Sequence, residues 1–250
     1  PLVILNYDQL ESPKMHPVVI ECRGLVLEIG TWAIIAKGFN RFFNFGEAEE
    51  ITNKFDWENF EATLKYDGSL ILVYWYAEKW RINTRGSFGQ SCPNESLLSW
   101  DQLIRSLLEK MCLEEWRQDL TFIYEFCSPV NRVVTDYPES EVFFLAAFDK
   151  LGQEVASRHP VFSNKEAVFA YIKELEETGS LDEGLVLKDK NGLRIKIKSA
   201  FYVKLHRAFS GGLSDINALD LVLKNETSEI LIYFPEYRER FDRLGEALEK

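Results

Sequence analysis

The segment KYDGS at residues 65–69, followed directly by the apolar run LILVYWY at residues 70–76, constrains the fold of this chain most strongly. β-Branched and aromatic residues dominate the run, which predicts a strand. The Asp-Gly pair predicts a tight turn just before it. Residues 80–84 are expected to pair antiparallel with this strand across a turn at 77–79. Lys65 is therefore either a functional lysine presented beside a turn or an ordinary exposed one, and this segment alone favours neither explanation.

Further strands are predicted from runs of apolar and β-branched residues. They lie at residues 121–127, 142–148, 185–188 and 193–198. The last two flank Asp-Lys-Asn-Gly, which predicts a hairpin because both Asn191 and Gly192 tolerate a positive φ. Hairpins of this kind favour antiparallel sheets.

Two helices are predicted from their capping residues. Ser99 with Gln102, and Ser163 with Glu166, have the spacing of capping boxes. Gly179 is expected to end the second helix. Apolar residues at helical spacing follow each box, at positions 104, 107, 108 and 111 and at positions 168, 172 and 175.

The mixture of hairpins and inserted helices predicts an α+β fold rather than a doubly wound parallel sheet. With 250 residues, 46% of them hydrophobic, the chain can bury a sizeable core. Residues 1–208 are expected to form the main domain. The pattern after Phe209 is helical, so residues 209–250 are expected to form a small helical C-terminal appendage.

The charge distribution is uneven. A net charge of −11 argues against a protein that coats nucleic acid non-specifically. Residues 188–207, however, carry seven basic residues against the single acid Asp189. A local basic face on an acidic protein is compatible with binding a phosphorylated ligand or a nucleic-acid end.

Several classes of protein are disfavoured by what the sequence lacks. The four cysteines and three histidines are scattered without zinc-ligand spacing, and no G-x-S-x-G elbow is present. The longest apolar run is too short to span a bilayer, and no charged leader precedes an apolar stretch at the start. The expectation is a cytoplasmic protein without a membrane partner, or one in the host cytoplasm if the source is viral.

The KYDGS segment resembles the first motif of the covalent nucleotidyltransferases, which are DNA ligases, RNA ligases and mRNA capping enzymes. The other motifs of that superfamily occur around it in the expected order. They are ECRG at 21–24, FFN at 42–44, TRGS at 84–87, YEF at 124–126, AFD at 147–149, EGLVLK at 183–188 and IKIKS at 195–199. The resemblance implies an antiparallel-sheet nucleotidyltransferase domain like that of DNA ligase and mRNA capping enzyme.

Within the superfamily, the chain resembles the RNA ligase 1 type, the tRNA-repair ligases of T-even phages. ECRG, PVNR at 129–132, and KIKS at 196–199 with Tyr202 and His206 behind it carry this resemblance. It implies an ATP-dependent RNA ligase that joins 5′-phosphate and 3′-hydroxyl RNA ends. The intermediates would be a lysyl-AMP and an adenylylated 5′ end, and broken tRNA is one candidate substrate.

The resemblance also implies roles for individual residues. Lys65 would attack the α-phosphorus of ATP. Lys196 and Lys198 alternate on one strand, so they would share a face, neutralise the triphosphate and help to depress the pKa of Lys65. Glu183 would hold Mg²⁺ or Mn²⁺ through water, and Glu125 would contact ribose, with a metal contact as its second candidate role.

The residues implied to bind ATP are Arg23, Arg41, Leu64, Arg85, Glu125, Phe148, Glu183, Lys196 and Lys198. Phe148 would stack on adenine, with a core aromatic as the alternative. Arg41 and Arg85 stand where that family usually has lysine, and arginine keeps the charge but not the geometry. Asp67 is expected to have a structural role in the Asp-Gly turn.

Two other functions are compatible with parts of this pattern. One is a related DNA ligase or GTP-using capping enzyme, but those usually carry an OB-fold after the fifth motif, and the sequence after Phe209 lacks its β-rich segments. The other is a non-catalytic RNA-end-binding module that kept the fold. Such a module would be expected to lose Lys65, Lys196 or Lys198, and all are present.

Overall fold

The computed structural model describes residues 1–8, 11–88, 100–110, 116–209, 213–224 and 227–248. The strands are β1 (Leu2–Asn6), β2 (Arg23–Glu28), β3 (Ile34–Ala36), β4 (Phe43–Asn44), β5 (Phe60–Lys65), β6 (Ser69–Tyr76), β7 (Lys79–Thr84), β8 (Thr121–Cys127), β9 (Glu141–Phe148), β10 (Glu154–Ser157), β11 (Gly184–Asp189) and β12 (Arg194–Lys198). The helices are α1 (Pro17–Glu21), α2 (Glu49–Thr52), α3 (Trp100–Glu109), α4 (Lys165–Thr178), α5 (Ala200–Phe209), α6 (Asp215–Leu223), α7 (Thr227–Tyr233) and α8 (Arg238–Leu248). Short 3₁₀ turns lie at Pro129–Asn131 and Pro235–Tyr237.

The strands form three sheets. Their orders are β1-β2-β3, β10-β9-β8-β6-β7 and β4-β12-β11-β5. Among the described strands every pairing is antiparallel except the short parallel pair of β4 with β12. This arrangement confirms the predicted α+β fold with antiparallel sheets.

The two predicted hairpins form, with turns that differ in detail from expectation. Ala77 and Glu78 alone join β6 to β7, both at positive φ (51° and 59°), so Lys79 already belongs to the strand. In the second hairpin only Gly192 is left-handed (φ 82°), and Asn191 is not. There the Asp189 carboxylate accepts the backbone N–H groups of residues 191 and 193 and holds the turn without a second left-handed residue.

The helix boundaries confirm one prediction and correct another. Asn164, not Ser163, caps α4, because its Oδ1 accepts the N–H of Ala167 at 2.7 Å. The predicted capping box therefore begins one residue before the actual cap. Gly179 ends α4 in the left-handed conformation (φ 63°), as expected. The predicted cap Ser99 lies outside the described residues.

Alternation along the strands separates a helix-covered face from a cleft face in each large sheet. Leu185 and Leu187 of β11 pack under α4, while Ile71 and Val73 of β6 pack under α3. The opposite face of β11 points into the space between the two sheets, and Leu70 of β6 lines the same space. Leu72 and Tyr74, farther along that face of β6, pack instead against Val26 and Ala36 of the three-stranded sheet. The space between the two large sheets is the cleft in which the motif residues meet.

The C-terminal helices share a hydrophobic cluster with α5. Tyr202, Leu205 and Phe209 of α5 are buried with residues of α6, α7 and α8, and with Val134 from the main sheet region. The division of the chain into residues 1–208 and 209–250 stays a prediction. No helix in the described part of the chain is long and apolar enough to cross a membrane.

Candidate functional site

The floor of the cleft is the exposed face of β5, β11 and β12. Strand register places the floor residues in three cross-strand rows: Lys65–Gly184–Lys198, Thr63–Val186–Lys196 and Glu61–Lys188–Arg194. Successive rows are about 7 Å apart, because side chains on one face repeat every second residue. The floor is therefore cationic along β12 and presents Lys65 at one end.

The remaining walls come from the five-stranded sheet and from segments before β5. Those lining residues include Arg23, Phe39, Phe42, Tyr66, Leu70, Glu125 and Leu145. Of the residues expected to bind ATP or to act on it, the cleft brings together Arg23, Leu64, Lys65, Glu125, Lys196 and Lys198. A cleft with apolar walls and clustered cations can take a planar base and a polyphosphate together.

Glu183 joins the two lysines at the end of the floor. Its carboxylate accepts Lys65 Nζ on Oε2 and Lys198 Nζ on Oε1, both at 2.6 Å, and the residue is only 3% exposed. Gly184 makes this position possible, because it has φ 133° and a Cβ there would meet Ile197 O at 2.2 Å. Only glycine lets β11 start so close to β12, which sets Glu183 between the lysines.

The electrostatic surroundings of Lys65 correct the sequence-based expectation. Burial alone would lower its pKa, but the charges of Glu183 and Glu125 outweigh burial, and the net pKa is raised. Lys196 and Lys198 therefore do not bring the net pKa of Lys65 below its ordinary value in this arrangement. The reason is that a carboxylate, not a second ammonium, is the nearest charge to Lys65.

Two other groups in the cleft have pKa values shifted towards neutrality. Burial, with the charges of Lys198 and Lys65, lowers the pKa of Lys196 to about 8. Burial raises the pKa of Glu125 to about 7, helped by Glu183 and opposed by Lys65. Shifts of this kind in a cleft are typical of functional sites.

Besides Glu183, which contacts Lys65 and Lys198, three of the predicted residues lie beside the cleft rather than on its lining. Arg41 stacks on Tyr7, with its guanidinium carbon 4.1 Å from the ring centroid, and the corresponding distance for Arg85 is 5.8 Å. Phe148 is 5% exposed and packs edge-on against Phe39, with ring centroids 5.3 Å apart. Arg41 and Phe148 line an adjoining cavity. Phe39 thus stands between Phe148 and the cleft, which favours a core role for Phe148.

Several cleft residues were not predicted from the sequence. Arg194 lies two residues before Lys196 on β12, so the alternation of that strand was a usable signal for it. Tyr66 stacks on Phe143 with centroids 3.9 Å apart, and the Arg158 guanidinium lies 4.3 Å from the Tyr66 ring. These aromatic contacts join distant segments, and no local pattern indicates them.

Asp67 is structural, as expected, but its carboxylate bonds reach far beyond the turn. Oδ2 accepts the backbone N–H groups of Val134 and Thr135, both at 2.7 Å, and Oδ1 accepts the Tyr202 hydroxyl at 2.6 Å. The residue is 4% exposed. Asp67 therefore ties the segment carrying Lys65 to α5 and to the loop after β8.

Replacing Asp67 with asparagine is expected to destabilise the protein by about 2 kcal/mol, since an amide accepts through one oxygen and turns its NH₂ towards a donor. Urea unfolding followed by circular dichroism measures this as a lower midpoint with an unchanged slope. Asp136→Asn is the matched control, because Asp136 is exposed on the neighbouring loop. An unfolding midpoint equal to that of the control variant would contradict the structural role.

The carboxylates on the cleft lining are Glu61, Glu125 and Glu154, and Glu154 is paired with Lys188 and Arg194. In the described ranges, no group of three or more His, Cys, Asp or Glu side chains is placed to hold a metal ion. Glu183 and Glu125 are the carboxylates whose charges reach Lys65 most strongly. Such a donor set fits a cation that keeps most of its waters and takes few protein ligands, as Mg²⁺ does.

The chain is similar to proteins described as RNA ligases. A putative bifunctional polynucleotide kinase/RNA ligase from Autographa californica nuclear polyhedrosis virus is 30% identical over 263 aligned positions, covering 95% of this chain and 38% of that protein. A putative RNA ligase from Thermovibrio ammonificans is 27% identical over 255 positions, covering 92% and 65%. The chain thus spans less than two thirds of the length of each relative.

Solved structures share the fold. An archaeal ATP-dependent RNA ligase superposes with a TM-score of 0.56 at 18% identity, covering 89% of this chain and 66% of that one. A putative ATP-dependent DNA ligase from Aquifex aeolicus gives a TM-score of 0.51 at 17% identity, covering 84% and 64%. A family model described as RNA ligase matches residues 21–206, which contain every strand of the two sheets that form the cleft. The chain therefore belongs to the RNA ligase family, as the order of its motifs predicts.

Proposed function

We propose that this chain is an ATP-dependent RNA ligase that works through AMP bound covalently to Lys65. The observation that carries the proposal is the position of Lys65 at the end of a cationic floor, 2.6 Å from Glu183 and in the same cleft as Lys196, Lys198 and Arg23. Membership of the RNA ligase family supports RNA as the substrate. The RNA to be joined, including broken tRNA as a candidate, is part of this proposal.

The first step forms a P–N bond between Lys65 Nζ and the α-phosphorus of ATP. The bond from that phosphorus to the bridging oxygen breaks, and pyrophosphate leaves with the electron pair. Lys196 and Arg23 line the cleft where negative charge builds up on the phosphates, so they stabilise the transition state by position and charge. An oxygen of the RNA 5′-phosphate then attacks the same α-phosphorus, the P–N bond breaks and the Lys65 amine leaves. A 3′-hydroxyl finally attacks the RNA phosphate, forms the phosphodiester and expels AMP.

Lys65 must be neutral to attack, and Glu183 holds it as an ammonium. A divalent cation, Mg²⁺ or Mn²⁺, held by Glu183 with Glu125 nearby would draw the carboxylate charge away from Lys65 and favour the neutral amine. Glu125 also lies where a ribose hydroxyl could donate to it, because it faces the cleft between Leu70 and Phe143 in the sheet register.

Incubation with α-labelled ATP and Mg²⁺, followed by denaturing electrophoresis, tests the first step. A covalent label on the protein is expected with ATP and not with GTP, and, as a P–N bond predicts, it should survive alkali and be lost in acid. A 5′-phosphorylated single-stranded RNA should then be circularised or joined, whereas an all-DNA nicked duplex should not. A protein that takes no label under these conditions contradicts the proposal, and sealing of the DNA nick alone would instead assign it as a DNA ligase.

A further inference from the structure

A second groove adjoins the nucleotide cleft and shares Lys196 and Lys198 with it. Its other lining residues are Asn44 and Phe45 at the end of β4, Ile197 of β12, and four residues of α5: Tyr202, Val203, His206 and Arg207. Asn44 pairs with Lys196 across the parallel β4–β12 contact, and α5 begins two residues after Lys198. The groove is therefore a continuation of the cationic floor past β12.

The groove is basic on a protein that is acidic as a whole. Lys196, Lys198, His206 and Arg207 supply nitrogen donors, and no acidic residue lines the groove in the described part of the chain. Arg207 is exposed, and its guanidinium makes no hydrogen bond or ion pair with the described residues. On a chain of net charge −11, a patch of this sign indicates a polyanionic ligand.

Phe45 adds an exposed aromatic ring to the basic groove. Phe45 is 48% exposed, so a face of this aromatic residue is open to a ligand. The backbone N–H of Phe45 donates to Lys196 O at 2.8 Å, and its ring meets Trp57 and Phe169 with centroids 5.6 and 5.8 Å away. The exposed ring is thus fixed beside Lys196, in a position where a base can stack on it.

We propose that this groove binds the 5′-phosphorylated end of a single-stranded RNA, with phosphates at Arg207 and His206 and a base stacked on Phe45. Pyrophosphate has no aromatic face, so Phe45 distinguishes a nucleotide chain from the leaving group of ATP. Because Lys198 contacts Glu183, which contacts Lys65, an RNA end in the groove points towards the lysine that carries AMP. The inference rests on the proposed RNA ligase function and assigns its RNA-binding surface.

The experiment compares variants of the groove in two separate assays. Phe45→Ala is expected to weaken binding of a fluorescent 5′-phosphorylated oligoribonucleotide about tenfold, measured by anisotropy, and Phe45→Tyr should keep most of the affinity. Arg207→Gln should weaken it several-fold and reduce the steepness of its salt dependence by about one counterion. Trp32→Ala and Arg243→Gln are controls for an exposed aromatic and an exposed arginine elsewhere, and should bind as the wild type does.

Self-adenylation separates this inference from the proposed function. The groove variants should take label from α-labelled ATP at the wild-type rate, yet transfer that AMP to RNA with a higher half-saturating RNA concentration. Wild-type RNA affinity in both Phe45→Ala and Arg207→Gln overturns the inference, as does an equal loss of self-adenylation, which would assign the groove to ATP. If the wild type takes no label, the proposed function fails. The anisotropy measurements on the variants still test whether the groove binds RNA. If the Phe45→Ala variant does not fold, the Arg207→Gln variant still tests the inference.

Discussion

Lys65→Ala and Lys65→Arg are both expected to lose covalent labelling by α-labelled ATP, by at least about a thousandfold. Alanine removes the nucleophile, and arginine stays protonated at any accessible pH. Arginine can keep the ion pair with Glu183, so the Lys65→Arg variant should unfold near the wild-type midpoint. Lys54→Ala is the control, because Lys54 is exposed and outside the cleft, and it should label as the wild type does.

A second measurement distinguishes a lost nucleophile from a damaged protein. RNA that already carries AMP on its 5′-phosphate does not need Lys65 to become activated. Both Lys65 variants should therefore still join pre-adenylylated RNA to a 3′-hydroxyl, although they fail with ATP and 5′-phosphate RNA. Label retained by either variant would refute Lys65 as the attachment site, and failure with pre-adenylylated RNA would indicate that Lys65 also serves the last step.

Glu183→Gln is expected to have the largest effect on stability, about 3 kcal/mol, together with loss of self-adenylation. The substitution is isosteric, but it removes the carboxylate that is paired with Lys65 and Lys198 and leaves two partly buried ammonium groups without their counter-charge. Breaking a buried ion pair from one side is costly for that reason. Glu139→Gln, on an exposed loop, is the control and should be neutral.

The pH dependence of this effect has a defined sign. The two lysines hold the pKa of Glu183 below its usual value, although burial opposes them. A carboxyl with a lowered pKa contributes stability above its unfolded-state pKa and loses that contribution as the pH falls through its folded-state value. The difference in the free energy of unfolding between wild type and Glu183→Gln, measured by urea unfolding, should therefore be largest at neutral pH and become smaller in acid. A difference that persists unchanged in strong acid would mean that packing, not charge, is its cause.

The fold and the lysines and glutamates of the cleft that surround Lys65 could be predicted from the sequence, because their signals are local. Residues 121–127 form β8 as predicted, and the alternation of β12 puts Lys196 and Lys198 on one face. The cap of α4 was missed by one residue, since Ser163 and Asn164 are both good capping residues and only the path of the chain selects one. For Phe148 the sequence left two roles open, stacking on adenine or packing in the core, because a motif position does not show that Phe39 packs against it.

The sequence by itself determined which groups are available: one lysine before a strand, two lysines on a strand face, and carboxylates at fixed places in ordered motifs. The tertiary structure decided which charges meet. Glu183 lies 118 residues from Lys65 in the chain and yet touches it, so the pKa of Lys65 is raised and not lowered. Asp67 and Tyr202 are 135 residues apart and share a hydrogen bond. The physical reason is that electrostatic and hydrogen-bond energies depend on distances of a few ångströms, which folding sets and sequence spacing does not.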